Sequence, residues 1–229
     1  MITLRGVTKR FGDQVVLDGL DLDLADGGAT AVMGANGSGK TTLGRLLLGL
    51  AAPDAGTVTV PAGLRRAAVF QEDRLCEQLT AVGNVRLVLD RSVRARAVHD
   101  ELRRVGLDHD SLAKPVRDLS GGQRRRVVLV RGLMAEADLV VLDEPFTGLD
   151  VDAKVLALEY VRERCAGRTT LLITHDVADA TFLGARVVRL GAAPRSGADG
   201  SEWAPPAQAA REAAPPSPHS PPLTTGNVT

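Results

Sequence analysis

A short stretch of the sequence brings together glycines, a lysine and hydroxyl side chains at a spacing suited to phosphate binding. Residues 34–42 match the pattern G-x-x-x-x-G-K-[ST], whose glycines let successive backbone N–H groups point at phosphate oxygens. Lys40 would supply a mobile cation for the terminal phosphates, and Thr41 a hydroxyl for Mg²⁺. The residues predicted to hold the phosphates are Gly34, Asn36, Gly37, Ser38, Gly39, Lys40, Thr41 and Thr42.

The segments on either side of this phosphate loop support that interpretation. Residues 29–33 are apolar and predict a strand, while residues 42–50 have the spacing of a helix. A strand, a tight loop and a helix in this order place the positive end of the helix dipole at a bound phosphate. A glycine-rich turn that matches the pattern by chance is the alternative, and the flanking elements count against it. The sequence therefore predicts that the chain binds a nucleoside triphosphate.

Two carboxylates, Asp143 and Glu144, follow the apolar residues 139–142. In open α/β sheets, ligands bind in the crevice at the carboxyl ends of the strands. Asp143 would orient Mg²⁺, directly or through water, and Glu144 would polarise the water that attacks the γ-phosphate. Helix capping or a solvated turn is the alternative role for an acidic pair. We expect the catalytic role, because Pro145 follows the pair and its position relative to the phosphate loop resembles that of an Asp-Glu pair in a known family of ATPases.

A second glycine-containing segment, residues 119–123, has the sequence Leu-Ser-Gly-Gly-Gln and resembles the signature of the ATP-binding-cassette (ABC) family. Ser120 is a favourable N-cap residue, and the run to Met134 predicts a helix. In the family this helix end faces the nucleotide held by the other subunit of a head-to-tail dimer. The resemblance therefore implies that Ser120, Gly122 and Gln123 contact ATP bound to a second cassette.

The same resemblance implies that two further residues join Lys40 and Glu144 in the catalytic set. Gln71, which follows the predicted strand 67–70, resembles a family glutamine that contacts Mg²⁺ and the attacking water. His175 follows another apolar run and resembles the family histidine that contacts the γ-phosphate. Alone, neither residue type would indicate more than a solvated side chain, so their position in the series of motifs carries the assignment.

Two more positions are implied to bind the nucleotide or the second cassette. Asp150 resembles the family aspartate at the dimer contact, although Thr147-Gly148 stands where the family usually has Ser-Ala. Phe11 lies where the family places an aromatic ring that stacks on adenine, a contact that needs no particular base. A phenylalanine of the hydrophobic core is the alternative for Phe11.

The composition is that of an ordinary globular protein without net charge. The 229 residues include 28 Lys+Arg and 28 Asp+Glu, which argues against a broad nucleic-acid-binding surface. Cys76 and Cys165 lack metal-ligand spacing and are expected to be free thiols of a reducing cytosol. The first residues lack a signal-peptide pattern, and no stretch approaches the roughly 18 apolar residues of a membrane span. Membrane contact is therefore expected only through a partner.

The order of predicted elements indicates an α/β fold. Strands alternate with helices after the phosphate loop, which predicts a parallel sheet, and the first thirty residues add a β-rich N-terminal subdomain. Residues 53–57 are expected to form a tight turn before a strand at 58–60. Residues 76–134 are expected to form an inserted α-helical subdomain. The charge run at 124–126, three arginines, is expected to lie on the solvated surface of the signature helix.

We therefore predict a P-loop NTPase core in an ABC ATP-binding domain that spans residues 1–190. Residues 191–229 are rich in Pro and Ala and predict a disordered tail, because such a segment buries too little apolar area to offset its ordering entropy.

The resemblance implies a function as the ATPase subunit of a transporter that uses ATP and Mg²⁺. The implied partners are a second cassette in a homodimer, transmembrane permease subunits and, for an importer, a substrate-binding protein, with the chain on the cytoplasmic face of the membrane. Residues 70–75 and 144–150 look like those of bacterial nitrate, sulfonate and taurine importers. A soluble ABC-type ATPase of iron–sulfur assembly or translation is the alternative. A DNA-maintenance ATPase of the same superfamily would need a long coiled-coil insert between the phosphate loop and the signature. Only about eighty residues lie between these two segments, which argues against this alternative.

Overall fold

The structure, a computed structural model, describes residues 1–191. The prediction of a disordered tail concerns residues 191–229 and, apart from Gly191, lies outside the described residues. The strands are β1 (Ile2–Phe11), β2 (Gln14–Leu24), β3 (Ala29–Met33), β4 (Ala55–Thr59), β5 (Arg66–Val69), β6 (Leu139–Asp143), β7 (Thr169–Ile173) and β8 (Arg186–Arg189). The α-helices are α1 (Lys40–Leu47), α2 (Ala81–Arg86), α3 (Ala95–Arg104), α4 (His109–Ala113), α5 (Gly121–Met134), α6 (Val151–Cys165) and α7 (Val177–Phe182).

Five strands form a parallel sheet in the order β5-β6-β7-β3-β8. Every residue of β6 and β7 is buried, as expected of central strands that are covered on both faces. Parallel strands end at the same edge, so the segments that follow β3, β5, β6 and β7 emerge side by side. The predicted α/β core is confirmed, and this edge carries the residues predicted to do chemistry.

The antiparallel sheet has the order β2-β1-β4 and forms the β-rich N-terminal subdomain. The turn predicted at residues 53–57 is wrong in its second half, because β4 begins at Ala55 and pairs there with β1. Gly56 has φ +78°, and a Cβ at this position would lie 2.3 Å from the carbonyl oxygen of Gly6. The pairing register shifts at the same place, so Gly56 marks an irregular, bulge-like site inside a strand.

The inserted α-helical subdomain is confirmed as a run of short helices that ends in the longer α5. A 3₁₀ turn at Val116–Asp118 leads into the signature helix α5. Helix α5 packs against α2 and α3 on one side and against β5 and α6 on the other. It therefore lies between the inserted helices and the parallel sheet. Within residues 1–191, no helix is both long and apolar enough to cross a membrane.

Two hydrophobic clusters hold these layers together. One joins the antiparallel sheet to α1 and the parallel sheet, with Leu24 and Leu43 fully buried. The other joins the parallel sheet to α5, α6 and the inserted helices, with Leu102 and Leu129 fully buried. The sheet edge is thus supported from both faces, which fixes the backbone from which the site side chains project.

Candidate functional site

A cleft of about 780 Å³ opens at the carboxyl edge of the parallel sheet, beside the antiparallel sheet. Its size lies in the range of small-molecule sites. The cleft is lined by Phe11, Gln14, Val16, Gly34, Asn36, Gly37, Gly39, Lys40, Thr41, Thr42, Gln71, Asp143, Glu144, Thr147, Ile173 and His175. Apart from Ser38 and the predicted dimer-contact residues, every residue predicted from the sequence to act on the nucleotide therefore lines one cleft.

The phosphate loop connects β3 to α1 by a path that requires glycine. Gly39 has φ +92°, and a Cβ there would lie 2.6 Å from the Leu17 side chain. A Cβ at Gly34 would lie 2.6 Å from both the Leu190 carbonyl and Ser38 Oγ. Ser38 itself is buried, and its Oγ has no hydrogen-bond partner among the described residues. Ser38 therefore lies below the cleft surface and is not among the lining residues.

The start of α1 is suited to an anion. Gly39 offers no side-chain cap, and the first turn contains no acidic residue, so its N–H groups have no side-chain acceptor. Lys40 Nζ donates hydrogen bonds of 2.8 Å to the carbonyl oxygens of Gly34 and Ala35, which holds its charge over the loop. Free amides, the helix dipole and an ammonium group together favour bound phosphate.

Thr41 and Asp143 bring two oxygen ligands together across the cleft. Thr41 Oγ1 donates a hydrogen bond of 3.0 Å to Asp143 Oδ2. Asp143 is 5% exposed, and its burial raises the pKa of its carboxyl group, while the bond from Thr41 opposes that shift. A buried carboxylate beside a hydroxyl is a suitable donor set for a hard divalent cation, whose charge would compensate the lost solvation.

Glu144 and His175 face each other across the ends of β6 and β7. His175 Nδ1 lies 3.0 Å from each carboxylate oxygen of Glu144. This hydrogen bond raises the pKa of His175, whose side chain is 78% exposed. Glu144 has φ +45°, a left-handed conformation that is uncommon for a residue other than glycine and is often found at functional sites.

Phe11 and Gln71 stand at the rim of the same cleft. Phe11 is 51% exposed, which excludes the alternative of a core phenylalanine. Its ring lines the cleft, where an aromatic ring can stack on a flat ligand, and Lys9 Nζ lies 5.6 Å from the ring centroid. Gln71 lines the cleft after β5. Sequence reasoning missed Gln14, Val16 and Ile173, which line the cleft and carry no motif of their own. It also did not predict that Thr147, in the segment before Asp150, lines the cleft.

The signature residues and Asp150 do not line this cleft. Ser120 caps α5 and exchanges hydrogen bonds with Gln123, as its sequence predicts for an N-cap. The Gln123 side chain also donates to Ser111 Oγ at 2.8 Å. Asp150 caps α6 through a hydrogen bond of 2.8 Å from the Ala153 amide. Ser120 and Asp150 are exposed, so this part of the chain presents an uncovered surface outside the cleft.

The prediction of a solvated run at residues 124–126 is wrong for Arg125. Its side chain is 4% exposed, and it donates hydrogen bonds to carbonyl groups that follow β5 and β6. Arg126 is half-buried and donates to the carbonyls of Val105 and Gly106. Three successive helical residues span about 200° of the helix surface, so α5, packed on two sides, turns at least one of them inward.

Similarity to known proteins agrees with this site. Residues 17–147 match the family described as ABC transporter. The aliphatic sulfonates import ATP-binding protein SsuB 1 of Pseudomonas syringae pv. tomato is 46% identical over 192 residues, covering 82% of this chain and 70% of that protein. The corresponding SsuB protein of Mycobacterium sp. (strain MCS) is 43% identical over 200 residues, covering 83% and 79%.

Two solved structures of the bacterial ABC transporter cassette MJ0796 are also similar. Each superposes with a TM-score of 0.73 at 26% identity, covering 83% of this chain and 94% of the other. One is described as dimeric, and the other as a dimeric post-hydrolysis state bound to ADP and Pi.

Proposed function

The chain belongs to the ABC transporter family, and we propose that it is the ATP-binding subunit of an importer for aliphatic sulfonates. One observation carries the ATPase function. The phosphate loop, the Thr41–Asp143 pair and the Glu144–His175 pair all face a single cleft large enough for a nucleotide. A phosphate loop, a pair of oxygen ligands for a metal ion and a carboxylate that can position water are the parts that phosphoryl transfer uses.

In this proposal, ATP binds with its adenine on Phe11 and its phosphates on the phosphate loop and Lys40. Glu144 orients and polarises the attacking water, and His175 holds that carboxylate while facing the γ-phosphate. Gln71 contacts the same water from the opposite side of the cleft. Positioned charge and orientation, more than covalent chemistry, supply the rate enhancement in phosphoryl transfer.

Thr41 and Asp143 would hold Mg²⁺, with Gln71 as a further oxygen ligand. Their 3.0 Å hydrogen bond and the burial of Asp143 fit a small cation that takes a few protein oxygens and completes its shell with phosphate and water. When bound, the ion neutralises charge on the β- and γ-phosphates.

A second cassette completes each site in this proposal. Ser120 and Gly122 lie outside the cleft of their own chain, at an exposed helix N-terminus suited to phosphate. In a head-to-tail homodimer these residues, with Gln123 and Asp150, would close on the ATP of the partner subunit. The dimeric form reported for a similar cassette supports this arrangement.

The remaining partners follow from the importer function. We propose that transmembrane permease subunits hold this chain at the cytoplasmic face of the membrane, and that a substrate-binding protein delivers the sulfonate on the other side. We propose no nucleic-acid partner, because the chain has as many acidic as basic residues, 28 of each. In this proposal the transported molecule does not enter the ATP cleft, so the residues of the cleft do not identify it. The substrate class is supported instead by the names of the similar sulfonate import proteins.

Growth of the host bacterium on defined sulfur sources tests this function. A strain that lacks the gene should grow on sulfate and fail on an alkanesulfonate as the sole sulfur source. The wild-type gene should restore growth on the sulfonate, whereas Lys40→Ala should not, because the transported molecule moves only when ATP is hydrolysed. The sulfate medium is the control for general fitness.

Two results separate the parts of this proposal. Growth of the deletion strain on alkanesulfonates at the wild-type rate would reject the substrate class and leave the ATPase function standing. Purified protein that hydrolyses no ATP in the presence of its permease subunits would reject the ATPase function itself.

A further inference from the structure

The guanidinium group of Arg125 has an unusually complete set of hydrogen bonds. Arginine carries five N–H donors in a fixed plane, and all five find backbone acceptors here. The acceptors are the carbonyl oxygens of Phe70 (2.5 Å), Gln71 (3.3 Å), Asp143 (3.0 Å), Glu144 (2.8 Å) and Pro145 (2.9 Å). The Asp73 carboxylate lies 3.6 Å from Nη1 and partly balances the buried charge.

These acceptors belong to two segments that carry proposed catalytic side chains. We name residues 143–145 the catalytic turn and residues 70–73 the Gln71 loop. They follow the neighbouring strands β6 and β5, whose ends lie side by side in the sheet. One side chain of α5 therefore fixes the backbone on which both Glu144 and Gln71 stand.

The catalytic turn also has a conformation that requires external support. Glu144 has φ +45°, which costs free energy for a residue with a side chain and persists only where its surroundings impose it. Arg125 donates hydrogen bonds to the carbonyl groups of Asp143, Glu144 and Pro145. It therefore restrains the backbone before and after the Glu144 Cα atom. The direction of the Glu144 carboxylate depends on that backbone.

We propose that Arg125 is a positioning residue, which locks the catalytic turn and the Gln71 loop to the signature helix so that Glu144 is placed for hydrolysis. The inference rests on the proposed role of Glu144 in activating water. Arg125 lies only five residues after Ser120 on the same helix. The element that would close on the partner's ATP is thereby fastened to the catalytic turn of its own chain.

Replacement of Arg125 by lysine tests this role, because lysine keeps the charge and offers three donors in place of five. Arg168→Lys is the matched control, since Arg168 also donates to two carbonyls of the α5 end, Leu133 and Ala135, away from the cleft. Both substitutions remove hydrogen bonds from backbone carbonyls. Only the first loosens the catalytic turn.

We expect kcat of Arg125→Lys to fall by about tenfold or more, because a displacement on the order of 1 Å costs up to ~100-fold. KM for ATP should stay within about twofold, as Arg125 does not touch the phosphate loop. In single-turnover assays on a Glu144→Gln background, Arg125→Lys should cause no further loss, because the two residues act as one unit. Arg168→Lys should retain wild-type kcat and KM.

Three results would overturn the proposal. The first is an Arg125→Lys protein whose kcat equals that of Arg168→Lys, and the second is an equal further loss of rate on the Glu144→Gln background. The third is failure of both Arg125→Lys and Arg125→Gln to fold, which would make the guanidinium a structural element of the fold. Absence of ATPase activity in the wild type and in Arg168→Lys would instead reject the proposed function.

Discussion

The two regions proposed to bind nucleotide differ in how complete they are within one subunit. The phosphate-loop side is assembled, because Lys40, Thr41, Asp143, Glu144 and His175 line one cleft and four of them are paired by hydrogen bonds. The signature side, at the start of α5, presents a capped helix N-terminus to the surface, and none of Ser120, Gly122 and Gln123 lines that cleft.

This difference is consistent with ATP binding on the phosphate-loop side and with a role of the signature side in turnover. One region can hold ATP in a single chain, because its amides, ammonium group and carboxylates already converge. The other region exposes Ser120 at the surface, and in the proposed dimer it contacts ATP only when a second copy binds. Substitutions in the two regions should therefore have different effects on ATP affinity and on turnover.

The largest effect is expected on the assembled side, for Lys40→Ala. The terminal phosphates lose their main cation, and removal of one preorganised electrostatic contact of this kind typically costs about a hundredfold or more in kcat. Binding of ATP should weaken as well, because the lysine charge also acts in the ground state. Steady-state ATPase assays and calorimetric titration with ATP measure both quantities. Turnover near the wild-type value would reject the phosphate-loop assignment.

A smaller and more selective effect is expected on the exposed side, for Ser120→Arg. ATP affinity of the single chain should stay close to that of the wild type, whereas turnover should fall by at least about tenfold, because a large cation blocks closure on the partner's nucleotide. Asp108→Ala, which removes the side-chain cap of the neighbouring helix α4, is the control for lost capping. Equal loss of affinity in Ser120→Arg and Lys40→Ala would remove the distinction between the two regions.

The smallest expected effect is a change in the titration of His175. Its hydrogen bond with Glu144 raises the pKa of His175, so the pair stabilises the fold fully below the unfolded-state pKa, and this contribution is lost as pH rises through the folded pKa. Glu144→Gln should lower the pKa of His175 towards its ordinary value. NMR titration of the His175 ring measures the shift. An unchanged pKa in the variant would show that the pair is not formed in solution.

The assembled region was predictable from the sequence because its signals are local. Glycines, Lys40 and Thr41 occur within one loop, and the strand before it and the helix after it are both recognisable from their patterns. The acids at the end of β6 were predictable for a related reason, since parallel strands end at one edge. His175 after β7 was assigned from its resemblance to a family histidine. Capping of α5 by Ser120 was likewise predicted and observed.

Features that depend on tertiary contact were not predictable. The arginine run at 124–126 has the composition of a solvated surface, and only the packing of α5 against two layers turns Arg125 inward. Gly56 gave the signal of a turn, but the same residue type serves a strand irregularity, and pairing with β1 decides between them. Gln14, Val16 and Thr147 reach the cleft through the fold alone.

The exposed signature side is proposed to act only on the ATP of a second copy, a claim that can be tested by the association of the Glu144→Gln variant. This substitution keeps the size of the side chain and removes its ability to act as a base, so bound ATP is hydrolysed only very slowly. Because ATP then binds the dimer better than the monomer, it should drive association by linkage. Light scattering coupled to size-exclusion chromatography, with Mg²⁺ and ATP and with permease subunits present or absent, measures the mass.

We expect a dimer for Glu144→Gln at saturating ATP and a monomer for the double variant Glu144→Gln/Ser120→Arg, whose signature side cannot close. Without nucleotide both variants should be monomeric in the absence of permease. A Glu144→Gln protein that does not associate even beside its permease subunits would contradict the claim. A double variant that dimerises as well as the single one would contradict it equally.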